Sequence, residues 1–368
     1  MLPRKRNYTM FVSWAPTHGG GVNAVMHGLA AANADTYDST IVVTGFVRPQ
    51  NYAGPWLYLP DLNPARPLGY LARLIPSLWK LHRLLKDSVA ANPHFASLEC
   101  LPVVLLRKLR LGPPVILSIH GLDVTDMLAA TGMRRKLLRW MFESADLVVG
   151  CSHSLTRRLL EVAPGARTAT AWNAATPAPA VRPERPTPGP YLICVAGFEH
   201  KKGQDILIQA FERVLEVRPE LNLVLIGATP KHSSLPKLEA QIELLCLSQK
   251  VKILTNQPNT EVWWWIRHAE CLVLPSRAEP FGIVLLEAAK SHVPVVATRV
   301  GGIPEFVTDG VDGLLCDSEN PEQLAEKILE TLAGPEAAAK RVETFAAKAE
   351  TFTWAAAWDV YRREAGLP

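Results

Sequence analysis

The sequence predicts an α/β protein built of two doubly wound domains. Three observations carry this: strand-length apolar runs alternate with helical-period segments, the alternation occurs as two similar series, and a proline-dense stretch lies between them. A chain of 368 residues with 48% hydrophobic and 20% charged side chains is long enough for two domains and apolar enough for a sizeable core. That excludes a disordered chain and a small disulfide-stapled scaffold.

In the first series, strands are expected at 8–14, 40–45, 94–98, 115–119 and 146–150. In the second they are expected at 191–197, 221–227, 251–255, 271–275 and 294–298. Short continuous apolar runs of this kind suit parallel strands covered by helices on both faces. Ala174–Pro190 carries prolines at 177, 179, 183, 186, 188 and 190, which neither a helix nor a central strand tolerates. The expected division is a first domain over 1–175, a linker over 176–190 and a second domain over 191–352. Tyr8–Trp14 follows Arg4-Lys5-Arg6, but it is short for a signal-peptide core and lacks a small-residue cleavage pattern, so it reads as the first strand. No window of about twenty residues is uniformly apolar, so no bilayer span is expected.

The formal charge of +4 is unevenly spread. Residues 1–175 hold 19 basic and 10 acidic side chains, a net +9, which leaves −5 for 176–368. The first half is therefore expected to meet something anionic. Within 71–86, Leu71, Leu74, Ile75, Leu78, Leu81 and Leu85 share one helical face, with Arg73, Lys80, Arg83 and Lys86 opposite and Pro76 as a kink site. Residues 101–111 and 133–140 repeat the basic-apolar pattern. Two readings stay open: ordinary domain helices with solvated charged faces, or an anionic membrane surface as partner. No nucleic-acid partner is expected. The six cysteines, at 100, 151, 194, 246, 271 and 316, form no C-x-x-C pair and are expected to be buried reduced thiols of a cytoplasmic protein. In the triple Trp263-Trp264-Trp265, core packing with one exposed ring is expected.

Four motifs could carry chemistry. Gly19-Gly20-Gly21 opens a helical segment, where glycine admits a close ligand and helix-start amides favour phosphate; its spacing matches neither the dinucleotide fingerprint nor the P-loop. His120-Gly121-Leu122-Asp123 sits at the carboxyl end of an apolar run, where open α/β sheets place ligands, and His120 reads either as a sugar-hydroxyl partner or as an ordinary loop histidine. Lys201-Lys202-Gly203 in a strand-exit loop suits a diphosphate or is a solvated lysine pair. The most specific string is Glu279-Pro280-Phe281-Gly282-Ile283-Val284-Leu285-Leu286-Glu287, in which two carboxylates flank a Phe-Gly turn and a helix start.

With these motifs, and with Ala145-Asp146-Leu147-Val148-Val149, Ser152, Ser154 and Gly301-Gly302, the chain resembles the retaining glycosyltransferases of family 4, over nearly its whole length. The resemblance implies the GT-B architecture, two Rossmann-like domains facing a central cleft, with a C-terminal helix within 353–368 crossing back to the first domain. It implies that Glu287 binds the ribose of a nucleotide-sugar. Glu279 and the amides of Phe281, Gly282 and Ile283 would hold the donor sugar, and the Ile283 and Val284 amides with Lys202 would meet the diphosphate. Gly20 and Gly21 would close on the phosphates, and His120 would contact the sugar near the reacting carbon, with Asp123 on the acceptor side. His120, Lys202 and Glu279 are thus the implied catalytic residues.

Two departures stand out. The family's Arg shortly before its Lys is replaced here by Gly197-Phe198, leaving Lys201 as the candidate substitute, and its P-N-G turn is replaced by Trp172-Asn173-Ala174. With no D-x-D triplet, neither metal nor cofactor is expected. The implied reaction is transfer with retention from a UDP-sugar, or next GDP-mannose, to a lipid-linked or membrane-proximal saccharide in bacterial exopolysaccharide or lipopolysaccharide synthesis. The enzyme would then work at the inner face of the cytoplasmic membrane. The alternatives are a soluble small-molecule acceptor, an epimerase or phosphorylase-like enzyme, and a non-catalytic sugar-nucleotide-binding subunit.

Overall fold

The computed structural model describes residues 5–12, 21–43, 56–58, 67–94, 97–175, 178–180, 182–230 and 233–368. The glycine-rich motif through Gly20 therefore lies outside the described residues, as do 13–14 and 44–45 of the expected strands. The elements run β1 (Arg6–Val12), α1 (Gly21–Ala32), β2 (Tyr37–Val43), β3 (Trp56–Tyr58), α2 (Pro67–Leu85), β4 (Ser88–Pro93), α3 (Leu101–Lys108), β5 (Ile116–Ile119), α4 (Leu122–Ala129), α5 (Gly132–Ser144), β6 (Leu147–Gly150), α6 (His153–Val162) and β7 (Thr168–Thr170). They continue with β8 (Tyr191–Val195), α7 (Gln204–Val217), β9 (Asn222–Gly227), α8 (Leu235–Leu244), β10 (Val251–Thr255), α9 (Asn259–Arg267), β11 (Cys271–Leu274), α10 (Ile283–Lys290), β12 (Val295–Thr298), β13 (Leu314–Cys316), α11 (Pro321–Ala333), α12 (Pro335–Ala349) and α13 (Trp354–Ala365). The chain divides into two compact units: Met1–Asn173 with Trp354–Pro368, and Ala174–Thr353.

In the first unit the strands line up as β3-β2-β1-β4 and β5-β6-β7, all parallel. Isolated parallel bridges, Ala91 to Val115 and His94 to Ser118, join β4 to β5 and make the order continuous. The fourth strand is Ser88–Pro93, not 94–98 as expected. Ser88-Val-Ala-Ala-Asn-Pro lacks the β-branched density that marks a strand, yet its small side chains fit a buried central position. A buried polar network crosses this sheet: the Tyr8 hydroxyl donates to Asn92 Oδ1 at 2.9 Å, Asn92 Nδ2 donates to Ser118 Oγ at 2.9 Å and to Ile116 O at 2.6 Å, and Ser118 Oγ lies 2.8 Å from Tyr361 Oη. The network ties α13 to β1, β4 and β5, and Trp358 adds an edge-on contact to Tyr8 with ring centroids 5.0 Å apart.

The three basic-apolar segments divide their apolar side chains between core and surface. Leu101, Val103, Val104 and Leu106 of α3, Leu138, Met141 and Phe142 of α5, and Leu81 and Leu85 of α2 are buried. Side chains of 71–75 lie outside the described residues. Trp79, Leu109, Leu111 and Met133 remain exposed.

The second unit is a single parallel sheet ordered β10-β9-β8-β11-β12-β13. Its core joins Leu192, Leu223, Leu225 and Val273 of the strands to Phe211 and Val214 of α7 and to Leu324 and Ile328 of α11. The tryptophan triple resolves against the proline-dense stretch. Trp263 and Trp265 are buried, while Trp264 is half-buried beneath the Arg182 guanidinium, 3.7 Å from its ring centroid. Arg182 also pairs with Glu261 at 2.7 Å, and Trp264 Nε1 donates to Glu184 O at 2.7 Å, so residues 182–184 are strapped to α9. Five of the six cysteines are buried; Cys246, just beyond α8, is exposed, against expectation, because the chain turns there with positive φ. No described helix is long and apolar enough to cross a membrane.

Tyr361→Phe removes one hydroxyl from the buried network and should cost about 1 kcal/mol of unfolding free energy. Urea unfolding should show this as a lower midpoint with an unchanged slope. A midpoint equal to wild type would show that the hydroxyl does not hold α13.

Candidate functional site

A doubly wound sheet binds ligands beyond the carboxyl ends of its strands, where the strand order reverses direction. In the second unit that point lies between β8 and β11, the neighbours from which the order runs outward both ways. The loop leaving β8 carries Lys201 and Lys202, and the loop leaving β11 carries Ser276 to Gly282. The structure brings the expected pair together: Lys202 Nζ lies 2.8 Å from Glu279 Oε2, with the Lys202 side chain 17% and the Glu279 side chain 8% exposed. The Ser276 hydroxyl donates to the same Glu279 oxygen at 3.2 Å. Burial works against the Lys202 charge, but the charge and hydrogen bond of Glu279, with Glu199 beyond, outweigh it and hold the ammonium above its ordinary range.

Glycine lets the two loops meet. A Cβ on Gly203 would lie 2.0 Å from the Pro275 carbonyl oxygen, and one on Gly301 would lie 1.9 Å from that of Glu279, each on a backbone of positive φ. Gly302 N donates to the Glu279 carbonyl at 3.0 Å, which fixes that residue's backbone from a third loop. Phe281 is buried and stacks on Phe306 with centroids 4.6 Å apart, anchoring the turn from inside. Gly282 is the N-cap of α10 and no side chain caps it, so the N–H groups of Ile283 and Val284 have no partner within the helix and supply positive potential there. Glu287 is buried one turn further along α10.

Lys201 turns its ammonium to Glu199 at 2.9 Å, while its carbonyl accepts the Arg277 and Ala278 amides at 2.8 and 3.2 Å. Phe198, which with Gly197 stands where the resemblance would put an arginine, is fully buried in the core.

Two positioning residues escaped the sequence reading. Arg277 grips Asp205 with two hydrogen bonds of 2.7 Å, donates to His200 O at 2.8 Å and pairs with Glu319, so its guanidinium is spent on holding the β8 and β11 loops together. Gln204 Nε2 donates to the carbonyls of Ala196 and Gly197 at 3.3 and 3.0 Å. Arg277 stands two residues before the most specific motif, and its partners are distant in sequence.

In the first unit Gly21 is the first residue of α1, and His120 follows β5. Asp123, expected on the acceptor side, is instead buried. Its carboxylate accepts the His120 amide at 2.9 Å and the Gly121 amide at 2.9 Å, because it sits in the first turn of α4 where such N–H groups converge. Burial pushes its pKa up to about 7, against the pull of those amides. His94, just past β4, stands beside His120. Among the described residues no cluster of three or more His, Cys, Asp or Glu side chains could hold a metal.

Asp205 is buried enough to raise its pKa, but the Arg277 hydrogen bonds and charge outweigh this and hold it below the usual carboxylate range. A carboxyl held low in the folded chain favours folding at neutral pH, and that contribution is lost as acid takes the pH below its unfolded value of about 3.9. Asp205→Asn should therefore be less stable than wild type at pH 7, by on the order of 1–2 kcal/mol, with the gap closing toward pH 3. Urea titrations at both pH values check this; an equal gap at both would assign the loss to something other than the ion pair.

A family model described as glycosyl transferases group 1 matches residues 180–348, and one described as glycosyltransferase family 4 matches 19–174. The D-inositol 3-phosphate glycosyltransferase of Segniliparus rotundus is 35% identical over 174 residues, covering 47% of this chain and 39% of that protein. The match thus spans about two fifths of that relative's length. An uncharacterized glycosyltransferase of Methanocaldococcus jannaschii is 28% identical over 310 residues, 80% of each chain. Among solved structures, HepE of Anabaena in complex with UDP and glucose superposes with a TM-score of 0.79 at 17% identity, covering 98% of this chain and 99% of that one. With one match for each half and a likeness over the whole fold, the chain belongs to the group 1, family 4 glycosyltransferases and has the GT-B fold of two Rossmann-like domains.

Proposed function

We propose that this chain is a retaining, metal-independent glycosyltransferase that moves a sugar from a nucleoside-diphosphate sugar, UDP-linked before GDP-mannose, to a saccharide acceptor. The observation that carries this is the buried Lys202–Glu279 pair beside the uncapped start of α10, at the reversal point of the sheet. A diphosphate arriving there meets a preformed ammonium and two unpartnered amides, while Glu279 and Glu287 are the carboxylates for sugar and ribose hydroxyls. Gly20 and Gly21, carried over from the family resemblance, are the first unit's candidate phosphate residues, and Lys201 adds charge beside Lys202.

In the reaction the bond from the anomeric carbon to the diphosphate oxygen breaks, and a bond to the acceptor oxygen forms on the same face. Lys202 and the α10 amides stabilise the leaving diphosphate, which takes the acceptor's proton. A nucleophilic carboxylate is not required. Glu279 is engaged by Lys202 and Ser276, and Asp123 by backbone amides. His120 supplies a hydrogen bond to the transferred sugar.

For the acceptor, the exposed apolar side chains favour a lipid-linked or membrane-proximal saccharide in bacterial exopolysaccharide or lipopolysaccharide synthesis. Trp79 is 60% exposed with the Arg83 guanidinium 4.7 Å from its ring centroid, and His82 Nδ1 lies 2.7 Å from Leu111 O, which sets α2 against exposed Leu109 and Leu111. Apolar rings and aliphatic chains mixed with arginine suit the inner, anionic face of a cytoplasmic membrane. One observation favours a soluble acceptor instead: the S. rotundus relative is named for inositol 3-phosphate, a small polar molecule.

UDP at about a hundred times its dissociation constant should raise the melting temperature by roughly 5–10 °C, GDP, ADP and dTDP should do less, and Glu287→Ala should lose the shift. Lys202→Ala should slow transfer about 10²-fold or more. No response to any nucleotide, or an unchanged rate in Lys202→Ala, would refute the donor site.

Vesicles containing anionic lipid should float the protein at low salt and fail to float Trp79→Ser/Leu109→Ser. Wild type that stays unbound favours the soluble acceptor.

A further inference from the structure

The first unit holds a pair of histidines that the proposed chemistry uses only in part. The bridge between His94 and Ser118 sets the ends of β4 and β5 in register, so His94 and His120 leave neighbouring strands. His94 is fully buried, and its amide donates to Phe11 O at 2.8 Å, which fixes it to β1 at the reversal point of the first sheet. Its Nδ1 lies 3.3 Å from His120 Nε2, and the two rings are within 12° of parallel, an orientation that lets the N–H of one point at the lone pair of the other.

A neutral imidazole carries one N–H and one lone pair. Both rings are neutral near pH 7: burial, with His120 adding to it, draws His94 well below its ordinary range, and burial brings His120 down to about 4. Two N–H groups facing each other would repel, as would two lone pairs, so the tautomers are coupled. If His94 Nδ1–H donates, the His120 proton sits on Nδ1. If His120 Nε2–H donates, the His94 proton sits on its own Nε2. His94 Nε2 is buried and has no partner among the described residues. The second arrangement strands an N–H there, which folded proteins rarely tolerate, whereas the first leaves only a lone pair.

We infer that His94 is a positioning residue that holds His120 in its Nδ1–H tautomer, so that His120 meets the transferred sugar as a hydrogen-bond donor and not as a base. What His120 touches rests on the glycosyltransferase reading; how it is protonated rests on the ring contact alone. A donor is also what a reaction needs when the leaving diphosphate takes the acceptor's proton. His94 thereby fixes the role of a residue 26 positions away that, among the described residues, it alone bonds through the ring.

The test is a two-bond 1H–15N spectrum of the unliganded protein labelled at histidine, with His120 assigned through His120→Gln. Wild type should show His120 protonated at Nδ1. His94→Phe, which keeps a buried ring but has no N–H, should release His120 to Nε2–H or a tautomer mixture. His94→Asn, whose amide N–H falls near the former Nδ1, should restore Nδ1–H. With a UDP-sugar donor, kcat should drop about tenfold in His94→Phe at nearly unchanged donor KM, and recover to within about threefold in His94→Asn. An Nε2–H His120 in wild type, or an unaltered Nδ1–H in His94→Phe, overturns the inference. The wild-type spectrum decides the tautomer even where a His94 variant does not fold. Wild type with the expected tautomer that transfers no sugar supports the ring pairing and counts against the glycosyltransferase reading.

Discussion

Parallel strands covered on both faces have only their ends free for chemistry, and only one pair of neighbouring ends in each sheet is left uncrowded by the helices that depart to opposite sides. In the second unit those ends belong to β8 and β11, and the residues that follow them are two loops, the first with a single 3-10 turn at His200–Lys202. Everything distinctive about the site follows from how those loops are held. Glycine at 203 and 301 removes the atoms that would keep them apart, Phe281 roots one of them in an aromatic cluster, and Arg277 stitches it to the other.

The buried ion pair at their centre costs desolvation on both partners, and removing one partner alone typically destabilises by about 3–5 kcal/mol because the other is left charged and unsolvated. Such a pair is a poor investment for stability. Under the proposed donor binding it makes sense as a stored charge: Glu279 keeps Lys202 ionised, and the Ser276 hydroxyl donates to the same carboxylate oxygen. The fixed amides at the start of α10 add a second positive source that needs no reorganisation.

The architecture was legible because apolar runs of strand length announce themselves, whether buried at the centre of the sheet, as Cys271–Leu274 is, or half-exposed at its edge, as 251–255 is; both fall where the pattern puts them. Ser88–Pro93 did not, since small residues at a central position look like a loop, and β3, β7 and β13 are three-residue strands too short to show a period. In the site, Lys202 and Glu279 could be read from motifs that sit whole in the chain. Arg277 with Asp205, separated by 72 positions, and His94 with His120, separated by 26, could not, because their meaning arises only when strand order makes them neighbours. Asp123 is the complementary case: its motif is local, and so are the bonds it makes, to the amides of its own turn.

The first unit is closed by the last residues of the chain, with Tyr8 seated against Trp358 and Ser118 against Tyr361. During synthesis, then, the opening strands emerge long before the helix that completes their core. The second unit, continuous from Ala174 to Thr353, has all its parts first. The order of maturation on the ribosome should run against the order of the sequence, leaving the N-terminal sheet exposed to chaperones until Trp354–Ala365 has been made.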